Sequence, residues 1–416
     1  MPHDTKPRHF PPISPFIQTM QAIAGNEVYI TGAAPLAPLS YGDEMALKQK
    51  TFTEFFRKKQ VEGDWERLVA SPFSRLYRTT TKRRVVFAFG KFMFSMGEGV
   101  RDRPDDNKSE AMLEPRQHTA LYEFLLKKLN EPIFSLVAKR CNYLIIRGSY
   151  KEFCLIFNMH KLDGPTVRKL KILGTKLSGA GTGVVSSFVF LDPSRSKYYL
   201  DKRETESRFN VKKLFGPDTL RFATAEQTYV YDALSFSQIN QSMVPLMLKK
   251  AAVLLDVPNM DCSSMRLVDL YCGYGLFTLY LGRNFLESWG IDYEAASIRR
   301  ARDSVAHCKD LPASCKMRFM SGQITSRGME EMLPLNGDIP EAVVLDPPRR
   351  GTEKGVIGAI ANRGPVKILH IFCNVDIIPE ELEQWKRVGY TASRILPLDM
   401  FPGTPNLEVM VLLKPR

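Results

Sequence analysis

The second half of the chain alternates short apolar runs with polar segments of helix length. From about residue 236 the apolar runs are MRLVDLY, SWGID, MRFMSG, EAVVLD and VKILHIFC. The segments between them are LFTLYLGRNFLES, YEAASIRRARDSVAH, TEKGVIGAIANR and DIIPEELEQWKR. This alternation predicts an α/β fold with a doubly wound, mostly parallel sheet. Two more strands, near RILPLDMF and LEVMVLL, follow without a helix between them and predict an antiparallel edge pair.

The first half has a different texture. Apolar residues recur at helical spacing in HTALYEFLLKKLNEPIFSLVAKR, whereas NYLIIRG, EFCLIFNM and VVSSFVFLD have the composition of strands. This mixture predicts an α+β domain over residues 46–235. Residues 1–45 are rich in Pro, Gly and Ala with little periodicity, which predicts a flexible N-terminal arm. Residues 236–416 form the third predicted unit.

Charge changes this picture more than overall composition does. The 44% hydrophobic and 25% charged residues are ordinary for a globular protein, but Lys and Arg exceed Asp and Glu by 58 to 45. A net charge of +13 favours a polyanionic partner, most simply nucleic acid, although a solvated basic surface would look the same. The chain has no apolar run of about 18 residues, so we expect no membrane partner.

The seven cysteines are dispersed along the chain, which favours a reducing, intracellular compartment over a disulfide framework. The cytoplasm is favoured over mitochondria or another organelle, because no secretory h-region or clear presequence is present. His307, Cys308 and Cys315 lie close in sequence, but a zinc site would need a second cluster, so we expect no metal. We also expect a monomer.

A glycine turn follows the first strand of the predicted parallel sheet, in VDLYCGYGLFTL at 268–279. Gly273 and Gly275 let the backbone approach a ligand at the start of the next helix. Asp292 ends the second strand, where a carboxylate suits a ribose diol. Together they predict a nucleoside-cofactor site that fits a nicotinamide cofactor or S-adenosylmethionine. A purely structural turn is the alternative.

Two prolines stiffen the loop after the fourth strand, in VVLDPPRRG at 343–351. Pro347 and Pro348 fix φ, so the loop can hold Asp346 and Arg349 facing a planar base. Enzymes that methylate bases need such a loop, whereas a dehydrogenase does not. The alternative is a proline-rich turn without a ligand.

Two further side chains are candidates for covalent chemistry. Cys373 ends the next strand, in HIFCNVD, where open α/β sheets place their ligands. Glu408 lies in the otherwise apolar strand of DMFPGTPNLEVMVLL, where a carboxylate is costly unless it is paired or functional. Ordinary packing of the cysteine and an ion pair for the glutamate are the alternatives.

Taken as an ordered set, these motifs resemble the RNA uracil-C5 methyltransferases. The resemblance rests on FSQIN at 236–240, YCGYGLF, DPPRRG, FCN and FPGTPNLE, with SPFSRLYR at 71–78 and LIFNMHKLD at 155–163. It covers roughly residues 50–416. Neither a TRAM-like barrel nor an iron–sulfur cysteine cluster is evident, so the chain is similar to the tRNA branch. The resemblance implies a class I methyltransferase (Rossmann-like) sheet plus an N-terminal RNA-binding domain.

The resemblance also implies residue roles. Residues at the cofactor positions would hold S-adenosylmethionine; they are Gln238, Tyr271, Gly273, Gly275, Asp292 and Asp346. Pro347, Pro348 and Arg349 would form the loop that faces the substrate base. Cys373 would add to uracil C6 and Glu408 would remove the C5 proton, which splits one hard step into easier ones. We expect the site to favour the Cys373 thiolate, the reactive form.

The implied function is methylation of the T-loop uridine of tRNA. The sequence departs from the family pattern at Leu276, Phe372, Val375 and Asn406. Two alternatives therefore stay open. One is a catalytically degenerate relative that acts as an RNA chaperone or ribosome-assembly factor. The other is a base-amino methyltransferase, which would have no use for Cys373 or Glu408.

Overall fold

The computed structural model describes residues 14–25, 30–96, 104–195, 211–308, 311, 315–334, 337 and 339–416. The helices are α1 (Pro15–Ala24), α2 (Tyr41–Lys58), α3 (Pro104–Ala111), α4 (Arg116–Leu129), α5 (Ser135–Arg140), α6 (Gly164–Gly179), α7 (Val244–Leu255), α8 (Leu276–Leu281), α9 (Ala295–Val305), α10 (Ser326–Met332), α11 (Val356–Asn362) and α12 (Ile378–Arg387). The strands are β1 (Asp64–Trp65), β2 (Thr80–Ala88), β3 (Lys91–Ser95), β4 (Cys141–Gly148), β5 (Phe153–Met159), β6 (Val184–Leu191), β7 (Val211–Phe215), β8 (Thr219–Ala223), β9 (Thr228–Asp232), β10 (Arg266–Leu270), β11 (Glu287–Asp292), β12 (Lys316–Ser321), β13 (Glu341–Leu345), β14 (Lys367–Phe372), β15 (Tyr390–Leu398) and β16 (Glu408–Pro415).

The larger sheet has eight strands in the order β1-β15-β16-β14-β13-β10-β11-β12. The five strands β10 to β14 run parallel to one another, which confirms the predicted doubly wound arrangement. β16 is antiparallel to both β14 and β15 and lies between them. The predicted antiparallel pair is therefore present, but it is not at the edge, because β1 pairs with the far side of β15.

Burial on both faces explains why the central strands are apolar throughout. Every residue of β10 and β13 is buried, as are all but the first of β14. Helices cover parallel sheets on both sides, so such strands lose the alternation of apolar and polar residues. One face packs against α7, α8 and α9, and the other packs against α2, α11 and α12.

The smaller sheet belongs to the first half of the chain and has the order β3-β2-β4-β5-β6-β7. It is mixed, because β5 and β6 are parallel while its other pairs are antiparallel. One face packs against α4, α5 and α6, and the other joins the core of the large sheet through Tyr143, Ile145 and Ile156. β8 and β9 form a separate hairpin.

The predicted boundaries of the three units stay a prediction, but part of the N-terminal segment is more ordered than expected. Within the segment expected to be a flexible arm, Pro15–Ala24 forms a helix that buries Phe16 and Met20. α2, whose Phe52 and Phe56 are fully buried, packs with the large sheet rather than with the smaller one. Pro and Ala here mark a helix start and close packing, two roles that composition does not distinguish from a flexible segment. Residues 1–13 and 26–29 lie outside the described residues.

Across the described part of the chain, no helix is both long and apolar enough to cross a lipid bilayer.

Candidate active site at the carboxyl edge of the large sheet

The topology brings the candidate residues to one edge of the large sheet. Tyr271 follows β10, Asp292 ends β11, Asp346 follows β13 and Cys373 follows β14, all at the carboxyl ends of parallel strands. Glu408 begins β16, which is antiparallel, so its first residue lies at this same edge. Since Phe372 pairs with Val409 at the end of the β14–β16 ladder, Cys373 and Glu408 are the next residues of the two chain segments beyond that pair.

The two glycines of the turn after β10 have different roles. Both have left-handed backbones, with φ of 55° at Gly273 and 86° at Gly275. A Cβ at Gly273 would meet nothing within 4 Å, whereas one at Gly275 would lie 3.0 Å from Phe319. Gly275 therefore permits close packing, while Gly273 borders open space. Tyr271 also has a positive φ, of 63°, which for a bulky residue marks a strained turn.

Two carboxylates hold the turn in place. Asp292 accepts hydrogen bonds from the backbone N–H groups of Gly273, at 2.9 Å, and Glu294, at 2.8 Å. Asp269 accepts from both the backbone N–H and the hydroxyl of Thr278 at the start of α8. Each oxygen has two lone pairs, so Asp292 retains acceptor capacity for a ligand. Burial raises the pKa of Asp269 to about 7, and nearby Asp292 acts in the same direction.

The proline loop is held from outside by α12. The Glu381 carboxylate accepts from the Thr352 N–H at 2.7 Å, and a Cβ at Gly351 would lie 2.1 Å from that carboxylate. Only glycine fits there, because φ is also 86°. Behind Glu381, His370 Nε2 lies 3.3 Å from the second carboxylate oxygen. The carbonyl of Arg349 accepts from the Asn374 side chain at 3.1 Å, which ties the loop to the residue after Cys373.

Cys373 is half-buried, with its Sγ 3.9 Å from the Pro347 carbonyl. Burial raises the pKa of its thiol to about 12, and the negative charges of Asp346 and Glu408 raise it further. The positive charge of Arg349 acts in the opposite direction. The expectation that the site favours the thiolate is therefore wrong for the protein without substrate. A motif does not show that the neighbouring charges are carboxylates.

Glu408 is buried and, within the described residues, forms no ion pair. Burial raises the pKa of its carboxyl to about 7, and the positive charge of Arg349 acts in the opposite direction. Asp346 has a pKa well above the ordinary range because of burial and the nearby Glu408, Asp269 and Asp292. A glutamate that titrates near neutral pH suits a general base. The alternative role, an ion pair, has no partner for Glu408 among the described residues.

Gln238 reaches this region from the segment before α7. Its side chain is buried, and its backbone is hydrogen-bonded to the hydroxyl of Tyr274 in the glycine turn. Two residues earlier, Phe236 leaves 68% of its side chain exposed, which is unusual for an aromatic ring beside a buried segment.

The four departures from the family pattern have structural explanations. Leu276 is buried at the start of α8, and Val375 is buried beside α12. Phe372 stacks on His370 with ring centres 3.8 Å apart. The Asn406 side chain bonds to the Thr404 hydroxyl inside its own loop.

Two residues of this site were missed by sequence reasoning. Asp269 is a carboxylate inside the apolar run LVDLY, so the argument applied to Glu408 would have found it. Glu381 looks like a surface residue in the first turn of an amphipathic helix, and no local signal shows that it contacts the proline loop.

The residues present fit S-adenosylmethionine, the cofactor implied by the resemblance. Four carboxyl groups converge here, namely Asp269, Asp292, Asp346 and Glu408, and they suit a ligand with a sulfonium and an ammonium charge. Gly273 leaves room for close approach, and Asp292 has free lone pairs for ribose hydroxyls. One buried oxygen of Asp269 has no hydrogen-bond donor among the described residues, so it is available to accept a hydrogen bond from a ligand.

The fold is that of a class I methyltransferase. The chain superposes on the crystal structure of Pyrococcus abyssi tRNA (uracil-54, C5)-methyltransferase in complex with S-adenosyl-L-homocysteine with a TM-score of 0.62. The match covers 92% of this chain and 86% of that one at 18% sequence identity. At this identity the likeness shows the fold, and it confirms the class predicted from sequence.

The chain belongs to the tRNA (uracil-5-)-methyltransferase family, whose model matches residues 196–416. An uncharacterized RNA methyltransferase of Streptococcus pyogenes serotype M1 is 27% identical over 273 residues, which is 65% of this chain and 55% of that protein. The chain thus spans little more than half the length of that relative. An uncharacterized RNA methyltransferase of Staphylococcus epidermidis is 22% identical over 92% of this chain and 81% of its own.

Proposed function

We propose that the protein uses S-adenosylmethionine to methylate uridine C5 in RNA, with the T-loop uridine of tRNA as its target. The observation that carries this proposal is that Cys373 and Glu408 lie close together at the carboxyl edge. The positive charge of Arg349 is near enough to lower the pKa of both groups. A base-amino methyltransferase would need neither the thiol nor the carboxylate. A degenerate relative would not need to keep Glu408 buried without a partner.

The chemistry follows from what uracil lacks. C5 is too weak a nucleophile to be methylated unaided, so the Cys373 sulfur forms a bond to C6 and the ring becomes an enolate. Bound S-adenosylmethionine supplies the methyl group that C5 then takes. Glu408 accepts the C5 proton, and the bond between sulfur and C6 breaks to release the 5-methyluridine. The thiol proton has to leave before or during the addition, and Cys373 is exposed enough to release it to solvent.

A basic cavity in the smaller domain supports an RNA substrate. It has a volume of about 290 Å³, and no carboxylate lines it among the described residues. Three of its lining side chains are cations without an ion pair in the described part of the chain; they are Arg84, Lys139 and Arg195. Phe87, which leaves 64% of its side chain exposed, adds aromatic surface. Cations beside aromatic rings suit phosphates and unstacked bases.

The hairpin tip beside this cavity extends the same surface. Phe89 leaves 94% of its side chain exposed and has a φ of 51°, next to Gly90 with a φ of 75°. Positive φ at both central residues is the geometry of a two-residue hairpin turn that usually takes Asn-Gly. A phenylalanine held there in solvent is costly and suits stacking on a base.

The decisive experiment offers the protein RNA with 5-fluorouridine at the target position. Fluorine does not leave as a cation, so the reaction stops after methyl transfer, and a denaturing gel shows a shifted band. We expect the band to need both Cys373 and S-adenosylmethionine. No band at saturating cofactor contradicts thiol addition, and a band with Cys373→Ala contradicts the assigned nucleophile.

The RNA class is tested by mass spectrometry of nucleosides from cells that lack the protein. We expect 5-methyluridine to disappear from tRNA, and loss from ribosomal RNA alone would contradict the tRNA target.

Binding is tested by Arg84→Ala, which should weaken RNA binding and reduce the magnitude of the slope of log affinity against log salt by about 1. The control is Arg299→Ala, which removes an exposed arginine on α9 that likewise has no ion pair among the described residues.

A further inference from the structure

The loop between β15 and β16, residues 399–407, ends at Glu408 and is held by a segment more than 300 positions earlier in the chain. We call this loop the base loop. The residues that hold it form the N-terminal clamp, which consists of Tyr41, Glu44, Lys48, Arg75 and Tyr77. The proposed chemistry does not use these residues, although Arg75 and Tyr77 belong to the SPFSRLYR segment at 71–78 that contributes to the family resemblance.

The clamp contacts the backbone of the base loop directly. Glu44 accepts from the Gly403 N–H at 2.5 Å, and Lys48 donates to the Phe401 carbonyl at 3.2 Å. The Tyr77 hydroxyl donates to the Pro402 carbonyl at 2.9 Å. Three successive residues of the loop are therefore fixed by side chains of the clamp.

Buried ion pairs organise the clamp itself. Lys48 lies 2.7 Å from both Glu44 and Asp399, and the side chains of all three have no exposed surface. Arg75 lies 2.9 Å from Glu44, and Tyr41 donates to Asp399 at 2.9 Å. Buried ion pairs gain little stability over apolar residues of the same size, because desolvation offsets the attraction. What such a network supplies is one defined geometry.

We propose that the N-terminal clamp is a positioning device for the general base: it fixes the base loop so that Glu408 meets the C5 proton of the bound uracil. This inference rests on the proposed function, because it needs Glu408 to act as the base. The clamp residues are positioning residues and not catalytic ones, since among the described residues they bond to the base loop and to neighbours in the N-terminal half of the chain, and not to Cys373 or Glu408. Loosening the clamp should therefore slow the removal of the C5 proton and leave the earlier addition of Cys373 intact.

The test is Tyr77→Phe, which removes a single hydroxyl and leaves the ring in place. The Pro402 carbonyl loses its donor, and the base loop gains freedom. We expect kcat to fall by about five- to tenfold, the size expected for one buried hydrogen bond, and the KM for RNA to fall with it because the enzyme is held as the adduct. We also expect a denaturing gel with ordinary uridine RNA to show accumulated enzyme joined to methylated RNA, because proton removal has become slow.

The matched control is Tyr390→Phe. Tyr390 is also buried, and its hydroxyl also donates to a prolyl carbonyl, that of Pro365 at 2.8 Å, away from the base loop. Both variants lose the same chemical group, so their melting temperatures should fall by similar amounts. Only Tyr77→Phe should accumulate the adduct.

Three outcomes overturn the inference: equal kcat in the two variants, a fall in kcat that follows the unfolded fraction alone, or a slow Tyr77→Phe enzyme without adduct. Failure of the proposed function looks different, because the wild type would then form no adduct with 5-fluorouridine RNA. If that adduct forms and Tyr77→Phe behaves like its control, the function stands and the clamp is only structural.

Discussion

Two clusters of buried charge flank the base loop, and they are balanced in opposite ways. The N-terminal clamp and Asp399 combine two carboxylates with two cations, each carboxylate within 2.9 Å of a cation. The carboxyl edge brings together four carboxyl groups, and none of them forms an ion pair among the described residues. The first cluster satisfies its charges with ion pairs, whereas the carboxyl groups of the second have no ion-pair partner among the described residues and have pKa values raised by burial.

The difference shows which buried charges hold the structure and which are available for chemistry. Burial raises the pKa of Asp399, but Lys48 acts against that rise. At the carboxyl edge the neighbouring carboxylates add to the effect of burial on Asp346. Perturbed pKa values without a compensating partner are typical of functional sites. Changes in the two clusters should therefore have opposite effects on stability and on activity.

The largest effect on turnover is expected for Glu408→Gln. Without the carboxylate the C5 proton stays in place, so turnover should fall by about 10²- to 10⁴-fold, and enzyme joined to methylated RNA should accumulate on ordinary uridine. Because the folded pKa of about 7 lies above the ordinary 4.5, the wild type loses stability as pH rises between these values. At pH 8 the variant should therefore be more stable, by about 1–3 kcal/mol.

A denaturing gel and thermal melts at pH 5 and pH 8 measure both effects of Glu408→Gln. A variant that melts lower at pH 8 and forms no adduct would show that Glu408 is a structural residue. The unpaired carboxyl groups at the carboxyl edge would then be structural, like those of the clamp.

The largest effect on stability is expected for Lys48→Met in the clamp. This change leaves Asp399 buried without its cation and should lower the free energy of unfolding by about 3–5 kcal/mol. Lys58→Met on the same helix is the control. Lys58 is mostly exposed and pairs with Glu54 at 3.4 Å, so its change should stay within about 0.5 kcal/mol. Urea titration measures both, and equal effects would contradict the structural role of the clamp.

A third prediction separates the two titrating groups by pH. Release of methylated RNA needs ionised Glu408, so its rate should rise about tenfold per pH unit below about 7 and then level off. Formation of the 5-fluorouridine adduct at saturating cofactor needs the Cys373 thiolate but not ionised Glu408. Since the pKa of this thiol is raised to about 12, that rate should keep rising through pH 9. Rapid-quench measurements give both profiles, and a shared break near pH 7 would refute the assignment.

The smallest effect is expected for Arg349→Gln. Arg349 lowers the pKa of both Glu408 and Cys373, so its loss should move the rising limb of the release profile upward by less than about one pH unit. Arg350→Gln is the control, because Arg350 pairs with the exposed Glu353 and acts on neither group. If the rising part of the pH profile does not move, or moves equally in both variants, Arg349 does not set the pKa of Glu408.

Much of the fold, and the meeting of the candidate residues at one edge of the sheet, could be predicted because the signals are local. A strand, a glycine turn and a helix follow one another within 16 residues, 266–281, and parallel strands bring their carboxyl ends together without further information. The inserted position of β16 and the burial of α2 could not be predicted this way. The segment KQKTFTEFFRKK looks like an exposed basic helix, and only a partner 351 positions later makes Lys48 a buried residue.

The electrostatics of the site was equally out of reach of sequence. Cys373 and Glu408 are each recognisable in their motifs, but the rise in the thiol pKa depends first on burial and then on Asp346 and Glu408 meeting at one edge. Such a sum over neighbours belongs to the folded arrangement and not to any one motif. Asp269 is the exception, since a carboxylate within an apolar strand is visible in the sequence itself.

The long separation between clamp and base loop has a consequence for synthesis. Helix α2 leaves the ribosome 351 residues before Asp399, which at about 5–20 residues per second is a delay of about 20–70 s. During that time Lys48 lacks the carboxylate of Asp399, and the phenylalanines of α2 lack part of the large sheet that later buries them. A chain released before Asp399 would lack the base loop and β16, so Lys48 would keep its pair with Glu44 but have no carboxylate from that loop.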